Sequence, residues 1–218
     1  MPITRFPDPR KASEGVVAVG GDLHPDSLRL AYRSGIFPWP HEDYPLLWFS
    51  PDPRAILDFA DLHVPRSLAK AKRRAQDSGC RFTLDQAFAE VIELCGQVPR
   101  AGQSGTWITP EMKEAYVRLH RLGHAHSVEL WREDLLIGGI YGVDAGGAFA
   151  GESMFHVEPN ASKLALLHLV EHLRERGLDW LDIQMLTPHM EALGAKEIPR
   201  DRFLERLKAT LKEGRKLF

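Results

Sequence analysis

The stretch from His126 to Gln184 constrains the fold of this 218-residue chain more than any other. Apolar-rich residues run from Ser127 to Arg132, break at Glu133-Asp134, resume from Leu135 to Val143, break again at Asp144 to Gly147, and return from Ala148 to Phe155. Segments joined by connections this short cannot cross over, so they must pair as an antiparallel meander. Asn160 then stands where a helix cap is expected, Ala161 to Arg176 carries helical periodicity, and Gly177 closes it. Trp180 to Gln184 reads as one more buried strand, with helices to follow near Met190 and from Arg202 to Lys212. A meander, a long helix and a returning strand make an α+β fold.

The preceding residues differ in character. Residues 1–61 are dense in proline and aromatics, with one clear helix from Pro25 to Ser34 after the turn Gly20-Gly21-Asp22, and suggest a small, loop-rich N-terminal domain. Beyond Asp61 the periodicity predicts helices over His63 to Asp77, Leu84 to Cys95 and Pro110 to Leu122, with a loop from Ser104 to Thr109. Residues 62–218 therefore form the expected second domain.

With 44% hydrophobic residues the chain can build a core without staples. Its net charge of −2 means that any basic surface is local. Cys80 and Cys95 fit no metal-ligand or CxxC spacing, and no stretch approaches the roughly 18 apolar residues of a membrane span. A cytoplasmic protein without a membrane partner is the expectation, with no apolar leader before Phe6-Pro7.

Four features could carry chemistry. Arg66, Lys70, Lys72, Arg73 and Arg74 lie in a stretch free of acidic residues, and on a helix Arg66, Lys70 and Arg73 or Arg74 share a side. That suits a phosphate backbone, and it equally describes a solvated face. Asp182 and Gln184 stand two apart on an apolar strand, so strict alternation would put both on one face, where a carboxylate could take a proton and an amide could orient. Glu152 sits among small and apolar residues in Ala150-Gly151-Glu152-Ser153-Met154-Phe155 and needs a partner, either an internal arginine or a cationic substrate. Trp39, Trp48 and Trp107 lie beside glycine or proline, where they could stack on bases or plug the core. The pairs His124/His126 and His168/His172 lack a third ligand, Ser153 lacks a nucleophile elbow and Cys95 lacks a thiolate-stabilising neighbour, so no metal or nucleophile is assigned.

Taken in order, several segments resemble the bacterial leucyl/phenylalanyl-tRNA protein transferase family. They are Gly20-Gly21-Asp22-Leu23, Gly35-Ile36-Phe37-Pro38-Trp39, Trp48-Phe49-Ser50-Pro51-Asp52-Pro53-Arg54, Gly105-Thr106-Trp107-Ile108-Thr109, Gly123-His124-Ala125-His126-Ser127, Gly151-Glu152-Ser153-Met154-Phe155, Asn160-Ala161-Ser162-Lys163, Asp182-Ile183-Gln184 and Leu193-Gly194-Ala195. Phe49 stands where some members have a second tryptophan, and Thr187 where some have asparagine. The resemblance implies an acetyltransferase-like (GNAT) C-terminal domain, a monomer, no cofactor, and transfer of Leu or Phe, or Met, from aminoacyl-tRNA to the N-terminal Arg or Lys of a protein, marking it for degradation. It also implies that Trp39, Trp107 and Tyr116 line the aminoacyl-adenosine site and that Ile140, Met154, Leu166 and Leu181 border the pocket for the transferred side chain.

The aminoacyl ester is already activated, so the expected enzyme need only position the amine and remove its proton. Asp182 is the first candidate for that proton, with Gln184 orienting and Glu152 attracting the cationic acceptor, and the two carboxylates could exchange roles. The rivals are an acetyl-CoA-dependent N-acyltransferase, disfavoured because His156-Val157-Glu158-Pro159-Asn160 has no glycine to cradle a pyrophosphate, and a non-catalytic tRNA-binding module.

Overall fold

The computed structural model describes residues 2–41, 44–98 and 106–218. In chain order its strands are β1 (Val16–Val19), β2 (Phe37–His41), β3 (Tyr44–Phe49), β4 (Arg54–Asp58), β5 (Arg81–Leu84), β6 (Ala125–Arg132), β7 (Leu135–Asp144), β8 (Phe149–His156), β9 (Trp180–Gln184) and β10 (Lys196–Ile198). Its α-helices are α1 (Pro25–Arg33), α2 (Arg66–Asp77), α3 (Phe88–Gln97), α4 (Pro110–Arg121), α5 (Ala161–Glu175), α6 (Pro188–Glu191) and α7 (Arg200–Lys212). The α+β class follows, and the meander β6–β7–β8, α5 and β9 stand within a residue or two of their expected places.

A seven-stranded sheet runs in the order β10-β4-β9-β8-β7-β6-β5, with α5 across β6–β8 on one face and α3 on the other. α2 packs on α5, and α4 on α3. The N-terminal residues are less loop-rich than expected, because β1, β3 and β2 form a second, three-stranded sheet. Pro38 and Pro40 lack the N–H of a ladder donor, which confines β2 to its edge. The expected division near residue 61 falls after β4, a strand paired with β9 inside the larger sheet. The expected helix from Leu84 begins only at Phe88, because residues up to Leu84 pair with β6 and Asp85 takes a φ of 60° that interrupts any helix. Asn160 precedes α5 in a left-handed conformation and makes no side-chain cap. Ser104 and Gly105 of the expected loop lie outside the described residues.

Two cores result. Under α5 lie Ile56, Val128, Ile140, Phe149, Leu166, Leu181 and Phe203. The opposite core joins Leu28, Tyr32 and Trp48 of the N-terminal part to Val91, Tyr116, Tyr141 and Ala150. The N-terminal part thus packs on the face of the sheet that carries α3 and α4, and this brings α1 to the back of β8.

Candidate active site

β8 and β9 run parallel and are bridged at Ala150 and Asp182. Two residues farther on, Glu152 and Gln184 stand level, since both strands advance equally. Each strand is bulged at this height. Against β7 the register slips between Tyr141 and Gly142, leaving Glu152 as the extra residue, and against β4 it slips between Ala55 and Ile56, leaving Ile183 as the extra one. Bulges re-aim side chains. A Cβ on Gly142 would sit 2.3 Å from the Ala150 carbonyl oxygen, so the close strand approach at the first bulge requires glycine.

Gln184 ends β9 with a φ of 61°, and the Met185 N–H bonds the Ile183 carbonyl at 2.7 Å, closing a γ-turn of the rare positive-φ form. Such a conformation costs a non-glycine residue about 1–2 kcal/mol. It is held from two sides. The Gln184 backbone N–H donates to Asp182 Oδ1 at 3.0 Å, and its side-chain amide donates to Glu152 Oε1.

Asp182 does not lie free to take a proton. Arg54, 1% exposed, grips it in a bidentate ion pair, Nε to Oδ1 at 2.9 Å and Nη2 to Oδ2 at 2.7 Å. The guanidinium also donates to the Gly35 carbonyl and lies over the rings of Phe37 (4.9 Å) and Phe203 (4.4 Å). The simple alternation expected of β9 is interrupted at Ile183, and Asp182 and Gln184 engage different neighbours. The internal arginine considered for Glu152 belongs to Asp182 instead.

Glu152 is half-buried and its partners among the described residues are neutral: the Tyr116 hydroxyl donates to Oε2 at 3.3 Å and the Gln184 amide to Oε1, while the nearby Tyr32 hydroxyl favours the ionised carboxyl. Burial pushes its pKa up to about 7, the Asp182 charge adds to the rise, and the hydrogen bonds only partly offset it. Tyr32 and Tyr116 touch through their hydroxyls, and burial together with the Glu152 charge holds both well above the ordinary tyrosine value.

Trp39 and Trp107 stack with centroids 5.6 Å apart and planes 17° off parallel. Trp39 meets Phe37 edge-on at 6.2 Å, and Phe37 underlies Arg54, so aromatic contacts lead from the tryptophan pair to the Asp182 ion pair. Trp48 is a core plug, fully buried with its indole N–H on the Gly20 carbonyl. Tyr116 is fully buried too, and reaches the junction through its hydroxyl, its ring faces being taken by Tyr32 and Tyr141. Ile140 and Met154 are direct partners across β7 and β8, and Leu166 and Leu181 join them in one core. Of these four only Met154 keeps appreciable exposed surface.

On α2, Arg66, Lys70, Arg73 and Arg74 are exposed while Leu68 and Ala75 face inward. Lys72 is half-buried and paired with Glu171 of α5, which sets it apart from the other four cations. Lys70 and Arg74 line a cavity of about 560 Å³ against the start of α5, with the Arg132–Glu158 ion pair also in its wall.

A family model described as leucyl/phenylalanyl-tRNA protein transferase matches residues 56–208, and another, described as that transferase's N-terminal domain, matches residues 21–52. The chain belongs to the leucyl/phenylalanyl-tRNA protein transferase family. A transferase of that name from Anaeromyxobacter dehalogenans (strain 2CP-C) is 53% identical over 220 residues, covering 98% of this chain and 93% of its own. One from Magnetococcus marinus is 54% identical over 212 residues, covering 94% and 88%. Among solved structures, L-PGS from Bacillus licheniformis aligns with a TM-score of 0.45 and 15% identity over 63% of this chain and 48% of its own.

Two contributors to this junction were given no role from sequence, Tyr32 and Arg54. Tyr32 shares the inward face of α1 with Leu28 and Ala31, and a buried phenol asks for a hydrogen-bond partner. Arg54 opens the apolar strand Arg54-Ala55-Ile56-Leu57, where a buried cation asks for a carboxylate. Which partner each finds depends on sheet register, and that was not legible.

Proposed function

We propose that this chain is an aminoacyltransferase that moves Leu or Phe from aminoacyl-tRNA to the N-terminal Arg or Lys of a protein, with Glu152 as proton acceptor. The observation that carries the reading is Glu152 itself: a half-buried carboxylate held, among the described residues, by neutral donors, level with a strained Gln184 at the place where β8 and β9 part. An α-amino group has a pKa of roughly 7.7–8.0, so a carboxylate at about 7 is closely matched to it. The free amine attacks the ester carbonyl, its proton passes to Glu152, and the C–O bond to the ribose breaks as the peptide bond forms. Protonated Glu152 can then return the proton to the departing ribose oxygen. Asp182, held by Arg54, positions Gln184, and Gln184 positions Glu152.

The stacked Trp39 and Trp107 receive the adenosine end, and Ile140, Met154, Leu166 and Leu181 bound the side-chain site, where flexible Met154 accommodates more than one apolar shape. Arg66, Lys70, Arg73 and Arg74 follow the acceptor-stem phosphates, with Lys72 in a lesser part. The parallel β8–β9 pair beside α5 supports an acetyltransferase-like C-terminal unit, and the two family matches support placing the division before β4. A CoA-dependent reaction is disfavoured because the Val157 and Glu158 N–H groups, which would have to cradle a pyrophosphate, both donate to the Ile137 carbonyl. The cytoplasm is the proposed location, and among the described residues no helix is long and apolar enough to cross a membrane.

Incubation with labelled Leu-tRNA and a peptide beginning with Arg tests the reading. Label passes to the peptide without CoA if it is right. Bound tRNA without product would leave a binding module in its place.

A further inference from the structure

β9 leaves the sheet at the Gln184 γ-turn, level with Glu152. β8 continues to His156, paired on its other side with β7 as far as Gly138 opposite His156. Among the described residues, no strand pairs with residues 154–156 on the side that β9 has vacated. An open edge is a template for another chain, and folded proteins commonly blunt such edges with charge or proline. Here the residues just past the two strand ends are apolar and left in solvent, Val157 at 60% and Met185 at 43% exposure. The inner end of the slot holds the Glu152 carboxyl, complementary in charge to an ammonium group.

We propose that the acceptor polypeptide binds as a short added strand on β8, its α-amino group at Glu152 and its residues 2–4 alongside residues 154–156. The inference rests on the function proposed above and adds the binding mode of the protein substrate. Direction follows from the chemistry. The amine must lie at Glu152, and β8 runs outward from there, so the acceptor lies parallel to β8 and takes the place β9 has left. Three residues span about 10 Å of strand, the length of the open edge. Main-chain pairing reads no side chains beyond the first residue, which suits an enzyme whose acceptors share only their N-terminal residue. It also gives the strain at Gln184 a role, since a strand that continued straight would fill the slot.

The test uses the full chain, labelled Leu-tRNA and Arg-initiated peptides methylated singly at the backbone nitrogen of residue 2, 3 or 4. Along a strand, alternate residues present their N–H to the same neighbour. Methylation at one parity should raise the KM for peptide about tenfold, the loss expected for one backbone hydrogen bond, while the other parity and kcat hold. An unchanged KM across the series, with the unmethylated peptide turned over normally, overturns the added strand and leaves the transferase reading intact. So does an equal rise at all three positions, which reports bulk and not pairing. Failure of the unmethylated peptide to accept label removes the transferase reading and this inference together.

Discussion

At the scale of single residues, the proposed chemistry turns on the different surroundings of two carboxylates. Asp182 has its counter-ion in Arg54, whereas Glu152 has none among the described residues and burial pushes its pKa up to about 7. Glu152→Gln keeps the shape and removes the base, and should lower kcat on the order of 10²–10³-fold. In the wild type kcat/KM should fall below about pH 8 as the acceptor amine protonates and more steeply below about pH 7 as Glu152 does. The variant should retain only the first, and a pH profile that keeps both would assign the base elsewhere. The same substitution should stabilise the fold in alkali. A carboxyl whose pKa is raised by folding contributes stability at low pH and loses it as pH climbs from the ordinary carboxylate range through about 7. At pH 8 urea denaturation should therefore find Glu152→Gln more stable than wild type by about 1–3 kcal/mol. Arg54→Met has the opposite consequence, stranding Asp182 as a buried lone charge at a cost of about 3–5 kcal/mol. Adding Asp182→Leu should recover much of that loss without restoring transfer, because the Gln184 N–H would still lack its acceptor.

At the scale of elements, the structure separates the cations of α2 by exposure. Arg66→Ala or Lys70→Ala should weaken tRNA binding and each reduce the slope of log affinity against log salt by about 1, leaving the choice between Leu and Phe unchanged. Lys72→Ala should do less, since Glu171 already occupies that ammonium. Filter binding across a salt series would check this, and a shift in amino-acid preference with unimpaired binding would place α2 in the side-chain pocket instead. The elements that were legible are those whose pattern is local. The meander announced itself by apolar segments and two tight turns, and α5 by its length and closing glycine. β4 was missed because it follows Pro51 and Pro53 and its four apolar or pairing residues, Arg54-Ala55-Ile56-Leu57, are too few to show a period. β5 was left unassigned for the same reason, only its last residue, Leu84, being drawn into the expected helix. Glu152, Asp182 and Gln184 stood out as candidates because a carboxylate or an amide in an apolar strand is conspicuous in any register. Their pairing was not, since Arg54 and Asp182 lie 128 residues apart and meet only through the order β4-β9-β8, while the bulges at Glu152 and Ile183 leave no mark in the pattern.

At the scale of the whole molecule, the N-terminal part supplies a wall of the proposed reaction site as well as a neighbouring layer. Tyr32 comes from α1, yet its hydroxyl meets that of Tyr116 of α4, itself a donor to the Glu152 carboxyl of β8. Leu28, Ile36 and Trp48 share a core with Ile92, Tyr141 and Phe155. A core shared in this way should melt as a unit, so calorimetry should give one transition whose van't Hoff and calorimetric enthalpies agree. Two resolved transitions would mean that the N-terminal part folds by itself and that its contacts with β8 are incidental. Tyr32→Phe probes the same coupling without dismantling it. The Tyr32 hydroxyl favours ionised Glu152, so deleting it should raise the Glu152 pKa further and move the acid limb of kcat/KM to higher pH. A ring retained in the same pocket should cost no more than about 1–2 kcal/mol of stability. An unmoved pH profile at full activity would sever α1 from the chemistry. A displaced one would show that the enzyme sets the proton affinity of its base through a residue more than 100 positions away in the chain, joined to it only by the packing of α1 and α4 behind β8.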